Sequence, residues 1–497
     1  MSEQAKRGEA FNPRAAEATP APVPTVGEKG SGSGSREASA PVAGGGGHPS
    51  GPPRLRTADR QQLLPPMPLD QVIEPDHPAR AVWRFVEGLD LSLLYERLRS
   101  RQHTPGRPPT DPRVLVALWL YAILYGVISA RRLEDLSVHH NPFRWLRGGV
   151  PLNHHLLSDF LVEHLDFLEQ LFRHSVAVLQ QEGLVDFDRV GQDGLRVRAS
   201  AGAASFRRQT TLEHLLHQAE QTVQRLQASV APSAEPESSE VTPGEDVAAE
   251  KAAPARPAEP PTARQQAAQQ RAARERLQRV QQALARLPQL QAKKKPEDQQ
   301  EARVSTTDPD ATIMKMGDGG YRPAYNFQFS TTCAQQVIVG VDVVRTGSDQ
   351  GQLPPMLDQI EERFAQRPQE ALVDGGFANH DDIEAVQSPA GEKAACKVYA
   401  PVPKPKKEGV DRHAPHAGDS PAVAEWRQRM GTAAAKEIYK QRAATAECVN
   451  AQARNHGLIR LLVRGLQKVK AVALWFATVH NMARGFALLS PQAATPG

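Results

Sequence analysis

The sequence is poor in cysteine and in long apolar runs. Its three cysteines, Cys333, Cys396 and Cys448, are too few and too widely spaced for the disulfide framework of a small secreted domain. The longest apolar run, residues 114–128, covers 15 positions, which is short for a bilayer span and predicts a buried helix. The first residues show no basic and then apolar signal pattern. We therefore expect a cytoplasmic protein with no membrane segment.

Aromatic residues are also scarce, at 5 % of the chain, whereas glycine and proline number 36 and 41. Residues 1–56 alone hold 18 glycines and prolines and one aromatic side chain, Phe11. Such a segment cannot bury enough apolar surface to offset the entropy that is lost on ordering. We predict a disordered tail over residues 1–65 and a second, short tail over 486–497.

The segment 66–185 repeats its apolar residues every three or four positions, which is the period of an amphipathic helix. One such helix face holds Val82, Phe85, Val86 and Leu89. Asp111 followed by Pro112 is typical of a helix start, with the aspartate as the cap. A further apolar-periodic helix is predicted over 160–179. We therefore predict an all-α N-terminal domain.

Residues 186–485 begin with a β pattern, because positions 189–197 alternate between polar and apolar residues. Further strands are predicted over 325–329, 337–344, 370–374 and 397–402, and helices over 353–364 and from Thr432 onward. This alternation predicts an α/β sheet with helices on both faces. An RNase H-like fold is one instance of that architecture.

Helical periodicity returns inside this α/β domain, over residues 210–295. Two arms with leucines spaced by three, four or seven flank a tip at 229–263 that is rich in proline, glutamate and alanine. Pro288 is expected to end the second arm, because proline lacks the N–H that an inner helical position needs. The pattern predicts an inserted antiparallel helical hairpin with a flexible tip.

Positive charge is concentrated in one stretch. The whole chain has a net charge of +4, from 60 basic and 56 acidic residues. Between Lys436 and Lys470, however, eight lysines and arginines stand against Glu437 and Glu447 alone. Such a stretch favours an anionic partner, and nucleic acid is the commonest one.

Three carboxylates are notable for their positions. Asp193 lies within the first predicted strand, Asp374 ends a buried strand, and Glu447 lies inside the basic helix. Hard divalent cations such as Mg²⁺ take oxygen ligands of this kind, and a pair of ions serves in-line displacement at phosphorus. Each residue taken alone fits a structural role as well: a surface or turn aspartate, or a salt bridge from Glu447 to Arg442 or Lys440. The spacing by itself leaves both interpretations open.

Several longer motifs follow one another in a characteristic order. They are residues 121–134, 153–160, 191–199, 305–311, 325–328, 373–377, 439–447, 464–469 and 480–484. In this order, over about residues 66–484, the chain resembles the DDE transposases of bacterial insertion sequences. The resemblance implies a helical N-terminal domain that recognises DNA ends, followed by an RNase H-like catalytic domain that cleaves and joins DNA strands.

The resemblance also assigns roles to individual residues. It implies that Asp193, Asp374 and Glu447 are the catalytic acids and hold two Mg²⁺ ions, for which Mn²⁺ can substitute. Residues that it places on DNA are Tyr439, Arg442, Arg454 and Lys468. The chain departs from many relatives in having four residues, 443–446, between Arg442 and Glu447 where they have three, and in having Arg454 in place of a lysine.

The implied partner is double-stranded DNA, as terminal inverted repeats and as target, bound by a homodimer in the cytoplasm and on the nucleoid. The alternative is a catalytically inactive relic that binds DNA or helps an assembly without cutting. Asp308 and Asp310 flank Pro309 in a predicted turn, where aspartate is favoured for backbone hydrogen bonds. A place near the catalytic site is the other interpretation of these two residues.

Overall fold

The computed structural model describes residues 67–98, 108–228, 262–389, 391, 393–405 and 409–489. The predicted tail over 1–65 and the predicted tip, except residues 262 and 263, lie outside the described residues. Of the second predicted tail, 490–497 lie outside them, and 486–489 are the last turn of a helix.

The segment before the first strand is helical, as the apolar periodicity predicts. Its described helices are α1 Pro78–Glu87, α2 Ser92–Glu96, α3 Pro112–Leu124, α4 Ala130–His139, α5 Asn141–Arg147, α6 His154–Glu163 and α7 Leu165–Gln181. The predicted start of α3 is confirmed: the Asp111 side chain accepts a hydrogen bond from the Arg113 N–H, and Pro112 is the first helical residue. The predicted helix over 160–179 is two helices, which meet at His164.

The rest of the described chain is mixed. Its strands are β1 Arg189–Arg198, β2 Phe206–Arg207, β3 Val304–Ser305, β4 Thr312–Lys315, β5 Tyr321–Thr332, β6 Ile338–Val344, β7 Glu370–Leu372 and β8 Lys397–Tyr399. Its helices are α8 Gln209–Ala228, α9 Ala263–Gln291, α10 Leu353–Phe364, α11 His380–Gln387, α12 Pro421–Gly431, α13 Ala433–Arg442, α14 Cys448–Asn455 and α15 Leu466–Leu489. A π-helical turn, Ala443–Glu447, joins α13 to α14 without a break.

Strand β1 is the centre of a six-stranded mixed sheet. It pairs antiparallel with β5 on one side and parallel with β7 on the other, and β7 pairs parallel with β8. Strands β4 and β6 both pair antiparallel with β5, at different parts of its length. The predicted α/β architecture agrees with this sheet.

Two glycines show how closely helices pack on the two faces of the sheet. A Cβ on Gly191 in β1 would meet Thr445 of the π-helical turn at 3.3 Å. A Cβ on Gly340 in β6 would meet Met356 and Ile360 of α10. Because side chains alternate between faces along a strand and the β1, β5 and β6 registers place these glycines on opposite faces, the sheet lies between α10 and the π-helical turn.

Helices α8 and α9 pack on each other, and a small separate core forms at their base. That core contains Leu212, Ala283, Leu287, Ala302 and Val304. The expectation that Pro288 ends the second arm is wrong, since α9 continues to Gln291 and the Ala292 N–H bonds to the Pro288 carbonyl. Pro288 lies at an exposed position of α9.

Helix α15 belongs to the central core and joins the two halves of the described chain. It packs against α3, α6 and α7 and also against β6. The Trp475 Nε1–H donates to the Leu161 carbonyl of α6 at 3.1 Å. The Asn481 amide bonds both to the Ile338 backbone of β6 and to Ser175 of α7. Although α15 is largely buried, no helix among the described residues has the length and apolarity needed to cross a bilayer.

Candidate active site

The parallel pairing of β1 with β7 brings two of the predicted acids to one place. Gly191 is opposite Leu372 in the register, and Asp193 and Asp374 each follow two residues later. Asp193 is still inside β1, whereas Asp374 lies in the turn after β7, where its Oδ1 accepts a hydrogen bond from the Gly376 N–H at 2.8 Å. The two carboxylates therefore lie beside each other where β7 ends next to the middle of β1, and the carboxyl end of a parallel strand is where α/β sheets place their ligand sites.

The guanidinium of Arg442, at the end of α13, connects all three predicted acids. Its Nη2 lies 3.5 Å from Asp193 Oδ2 and 4.0 Å from Asp374 Oδ2, and its Nη1 lies 3.4 Å from Glu447 Oε1. The arginine side chain is 14 % exposed, whereas that of Glu447 is 63 % exposed. A largely buried cation thus holds together three carboxylates that would otherwise repel one another.

The surroundings of Asp193 are unfavourable for a charged carboxylate. Burial raises its pKa to about 6, and the nearby Asp374 and Asp349 act in the same direction. Arg442 and the Gly194 N–H, which donates to Asp193 Oδ1 at 2.9 Å, oppose this rise. The charged form of Asp193 is therefore destabilised by its surroundings, and a cation placed beside it would stabilise that form.

Tyr439, one turn before Arg442 on α13, borders the same cluster. Burial raises the pKa of its hydroxyl, with the three acids adding to the rise and Arg442 opposing it. Its phenol stays protonated at neutral pH and can donate a hydrogen bond to an anionic ligand at the rim.

Asn450 is a site residue that the sequence interpretation missed. Its Nδ2 donates to Asp193 Oδ2 at 3.0 Å, and its Oδ1 is buried and has no hydrogen-bond partner among the described residues. Because Asn450 follows Glu447 by three residues, both face the same side of the helix, and this spacing was the available signal. The unpartnered oxygen adds a further possible donor for a cation beside Asp193.

Asp349, in the loop before α10, was missed as well. It lies behind β1, where its Oδ1 accepts hydrogen bonds from Asn326 at 2.7 Å and Gln328 at 2.8 Å. It occupies the space that a Cβ of Gly194 would need, so this glycine lets the acid approach the strand beside Asp193. No sequence signal marks Asp349, because its partners are set by the pairing of β1 with β5.

The donor set fits a hard divalent cation. Asp193, Asp374 and Glu447 supply carboxylate oxygens, the ligands that Mg²⁺ and Mn²⁺ prefer, and the orphaned Asn450 Oδ1 lies beside them. As placed around Arg442, no three His, Cys, Asp or Glu residues of the described chain are close enough to hold one ion together. Binding of a shared ion therefore requires the acids to close in around it.

The other predicted DNA contacts lie at the surface. Arg454 on α14 and Lys468 in the first turn of α15 are exposed, and neither makes an ion pair with another described residue. Lys468 lines a cleft of about 650 Å³ together with Arg279 and Arg464. Arg454 and Lys468 are free to meet phosphate groups, whereas Arg279 pairs with Glu275 and the Arg464 Nε–H donates to the Ser200 carbonyl.

Asp308 and Asp310 bind the start of α15 and do not touch the three acids. Asp308 Oδ1 accepts hydrogen bonds from the Gly465 N–H and the Tyr325 hydroxyl, and Asp310 Oδ2 accepts one from the Leu466 N–H. They satisfy N–H groups that a helix start leaves unpaired. Their role in the described structure is thus structural, in line with the turn interpretation.

Comparison with known families gives two matches, at the two ends of the described chain. Residues 67–163 match the family described as Transposase domain (DUF772), and residues 393–486 match the family described as Transposase DDE domain. The first covers α1 to α6, and the second contains Arg442, Glu447 and Asn450. Neither the curated proteins nor the solved structures contain a match to the chain.

Proposed function

The chain belongs to the DDE transposases, and on that premise we propose that it binds the ends of a bacterial insertion sequence and catalyses metal-dependent strand cleavage and strand transfer. The observation that carries the proposal is the convergence of Asp193, Asp374 and Glu447 on one guanidinium. Three acids, from a strand, from the turn after its neighbouring strand and from a helix, repel one another electrostatically, and such clusters are more typical of functional sites than of purely structural ones.

The catalytic domain is proposed to be RNase H-like. The strand order β6-β5-β1-β7-β8 supports this assignment, with β6, β5 and β1 antiparallel and β7 and β8 parallel to β1. We assign residues 66–185 to DNA-end recognition and 186–485 to catalysis. Residues 210–295, with the packed pair α8 and α9, are proposed as the inserted hairpin.

Transposase DDE domains generally use divalent metal ions, and two Mg²⁺ ions, replaceable by Mn²⁺, are proposed here. Asp193, Asp374 and Glu447 would hold them, with the Asn450 Oδ1 beside them. When bound, the ions supply activation of the attacking oxygen and stabilisation of the leaving oxygen.

Protein side chains then position the DNA for two successive displacements at phosphorus. In cleavage, a water oxygen bonds to phosphorus and the bond from phosphorus to the 3′-oxygen breaks, which leaves a 3′-hydroxyl. In strand transfer, that hydroxyl bonds to a target phosphorus and one target phosphodiester bond breaks. Arg442, Arg454 and Lys468 are proposed to neutralise phosphates, and Tyr439 to donate a hydrogen bond at the rim.

The proposed partner is double-stranded DNA, bound by a homodimer in the cytoplasm and on the nucleoid. The second candidate is the inactive relic, which would keep the exposed Arg454 and Lys468 for DNA binding and lack cleavage. The presence of all three acids in one cluster favours the enzyme.

The test uses duplexes that carry the DNA flanking the gene on both sides. We expect the full chain to shift these duplexes in a gel and to cut them with Mg²⁺ or Mn²⁺. Asp374→Asn should bind them and fail to cut, whereas Asp381→Asn, a change at an exposed acid of α11, should do both. Binding with no cleavage by the wild type under either metal would support the relic and overturn the proposed enzyme.

A further inference from the structure

We propose that the π-helical turn Ala443–Glu447 places Glu447 on the same side of the helix as Arg442, where it faces the other two acids. We also propose that Gln336 is a positioning residue that holds this turn in place. This inference rests on the proposed function, since it concerns the same three acids. Its evidence, however, comes from backbone geometry and from a turn on another element, neither of which touches a ligand.

Arg442 and Glu447 are five residues apart and still form an ion pair at 3.4 Å. In an α-helix, five residues make about 1.4 turns, so side chains at that spacing lie on different sides of the helix. A π-helical turn instead bonds residue i to residue i+5 and brings residues five apart onto one side. The π-helical turn lies between Arg442 and Glu447, where it corrects this spacing.

The π-helical turn is supported from outside the helix. The Gln336 Nε2–H donates to the Ala444 carbonyl at 2.9 Å. Within the helix, the Thr445 hydroxyl donates to the Gln441 carbonyl at 2.9 Å. A widened turn loses the regular i to i+4 pattern, and these two bonds compensate for it. Thr445 and Ala446 in turn pack on Gly191, two residues before Asp193.

Gln336 itself is fixed in an unusual conformation. It lies in the tight turn between β5 and β6 with a φ of +58°, which is uncommon for a residue other than glycine. The His480 ring bonds to its carbonyl at 2.7 Å, and its own N–H donates to the Thr332 carbonyl at 3.0 Å. The turn therefore presents the Gln336 amide to the helix from a rigid base.

The test compares two neighbouring glutamines in the same turn. Gln336→Met keeps the side-chain length and removes the donor to Ala444. The matched control is Gln335→Met, because the Gln335 amide bonds instead to Asp186, at 3.2 Å. Mn²⁺ affinity of the full chain without DNA, measured by electron paramagnetic resonance, should fall about tenfold in Gln336→Met and stay at the wild-type value in Gln335→Met.

A deletion tests the register directly. Removing Ala444 leaves Arg442 and Glu447 four residues apart, a spacing that faces one side of an ordinary α-helix. We expect this variant to bind Mn²⁺ within about threefold of the wild type. Adding Gln336→Met to the deletion variant should then leave its Mn²⁺ affinity unchanged, because the widened turn no longer exists. Hydrogen exchange over 443–455 should slow in the deletion variant and accelerate in Gln336→Met.

Each outcome has a distinct meaning. Equal Mn²⁺ affinity and equal hydrogen exchange in Gln336→Met and Gln335→Met would overturn the role of Gln336. A folded deletion variant that loses Mn²⁺ binding would overturn the register argument, and if that variant does not fold, the two glutamine variants still decide. A wild type that binds no Mn²⁺ would instead contradict the proposed function.

Discussion

Asp193 lies among charges of both signs, and burial raises its pKa to about 6. Its pKa in the unfolded chain is near 3.8, so between these two values the folded state binds more protons than the unfolded state. The stability contributed by this group is therefore present at low pH and is lost as pH rises through about 6. At pH 7 the charged Asp193 costs up to about 3 kcal/mol.

Asp193→Asn should remove this cost. In the presence of a chelator, we expect the variant to be more stable than the wild type to urea at pH 7, and the difference to shrink at pH 5. Mn²⁺ should reverse the order at pH 7, because it binds the charged carboxylate. Asp381→Asn serves as the control, and an unchanged pH dependence in Asp193→Asn would show that the carboxylate is not strained.

Glu447→Gln keeps the side-chain volume and removes one negative charge from the cluster. We expect Mn²⁺ affinity to fall and cleavage to drop on the order of a hundredfold or more, because small misplacements in a reacting centre are costly. Binding to DNA ends should persist or tighten slightly, with a steep salt dependence.

The matched control for this variant is Glu437→Gln, on the preceding helix α13. Glu437 is exposed and pairs with Lys440 at 2.6 Å, so the substitution changes the charge equally without touching the acids. It should tighten DNA binding by a similar amount and leave cleavage intact. Cleavage at the wild-type rate by Glu447→Gln would make Glu447 only a salt-bridge partner of Arg442.

At the scale of elements, Asn481 is the side chain that ties α15 to both β6 and α7. It is fully buried, its Oδ1 accepts from the Ile338 N–H at 2.8 Å, and its Nδ2 donates to the Ile338 carbonyl at 2.9 Å. Asn481→Leu would leave both backbone groups without this partner inside the core. We expect a loss of about 2–4 kcal/mol in the free energy of unfolding, measured by chemical denaturation.

Ser175→Ala supplies the comparison, because it leaves both bonds to Ile338 in place. It removes the bond from Asn481 Nδ2 to the Ser175 hydroxyl, at 3.2 Å, and the bond that this hydroxyl donates to the Phe172 carbonyl, at 2.6 Å. Its cost should be about 1 kcal/mol. If the two substitutions lower the free energy of unfolding equally, the hydrogen bonds from Asn481 to β6 contribute no more to stability than the bond to Ser175.

Helices and strands were predictable where apolar residues recur with the period of a helix or a strand. The alternation over 189–197 predicts β1, and Asp111 with Pro112 predicts the start of α3, since both signals are local. The break between α6 and α7 at His164 was not predictable from the apolar period, which continues through it. The strands β7 and β8 are shorter than predicted, because their apolar runs continue into buried loop residues such as Val373 and Val402.

The candidate site was predictable only in part. Asp193, Asp374 and Glu447 could be selected from their places in or after predicted strands and from a charge anomaly, and the family resemblance added Tyr439 and Arg442. Asn450 could not be selected, because it reaches Asp193 across 257 residues of sequence. Asp349 depends in the same way on the register of β1 with β5. The π-helical turn left one trace in the sequence, the fourth residue between Arg442 and Glu447, but the turn itself was not predictable, because it depends on how the helix meets Gln336 and Gly191.

At the scale of the whole molecule, the helices before the sheet and the sheet itself share one apolar core. The buried residues of α1 to α7 and those of β1, β5, β6 and β7 form one continuous cluster, which α15 completes. We therefore expect a single cooperative unfolding transition for this part of the chain, in which the proposed recognition and catalytic segments lose structure together.

Because α15 lies near the end of the chain, the core can be completed only late in synthesis. Trp475 bonds to Leu161 across 314 residues, and Asn481 bonds to Ser175 across 306. At a synthesis rate of about 5–20 residues per second, the ribosome needs roughly 15–60 s to bridge that distance. Throughout that interval the faces of α3, α6 and α7 that α15 covers are open to water, so the nascent chain is a natural client for chaperones, and a product that stops before Leu466 should aggregate.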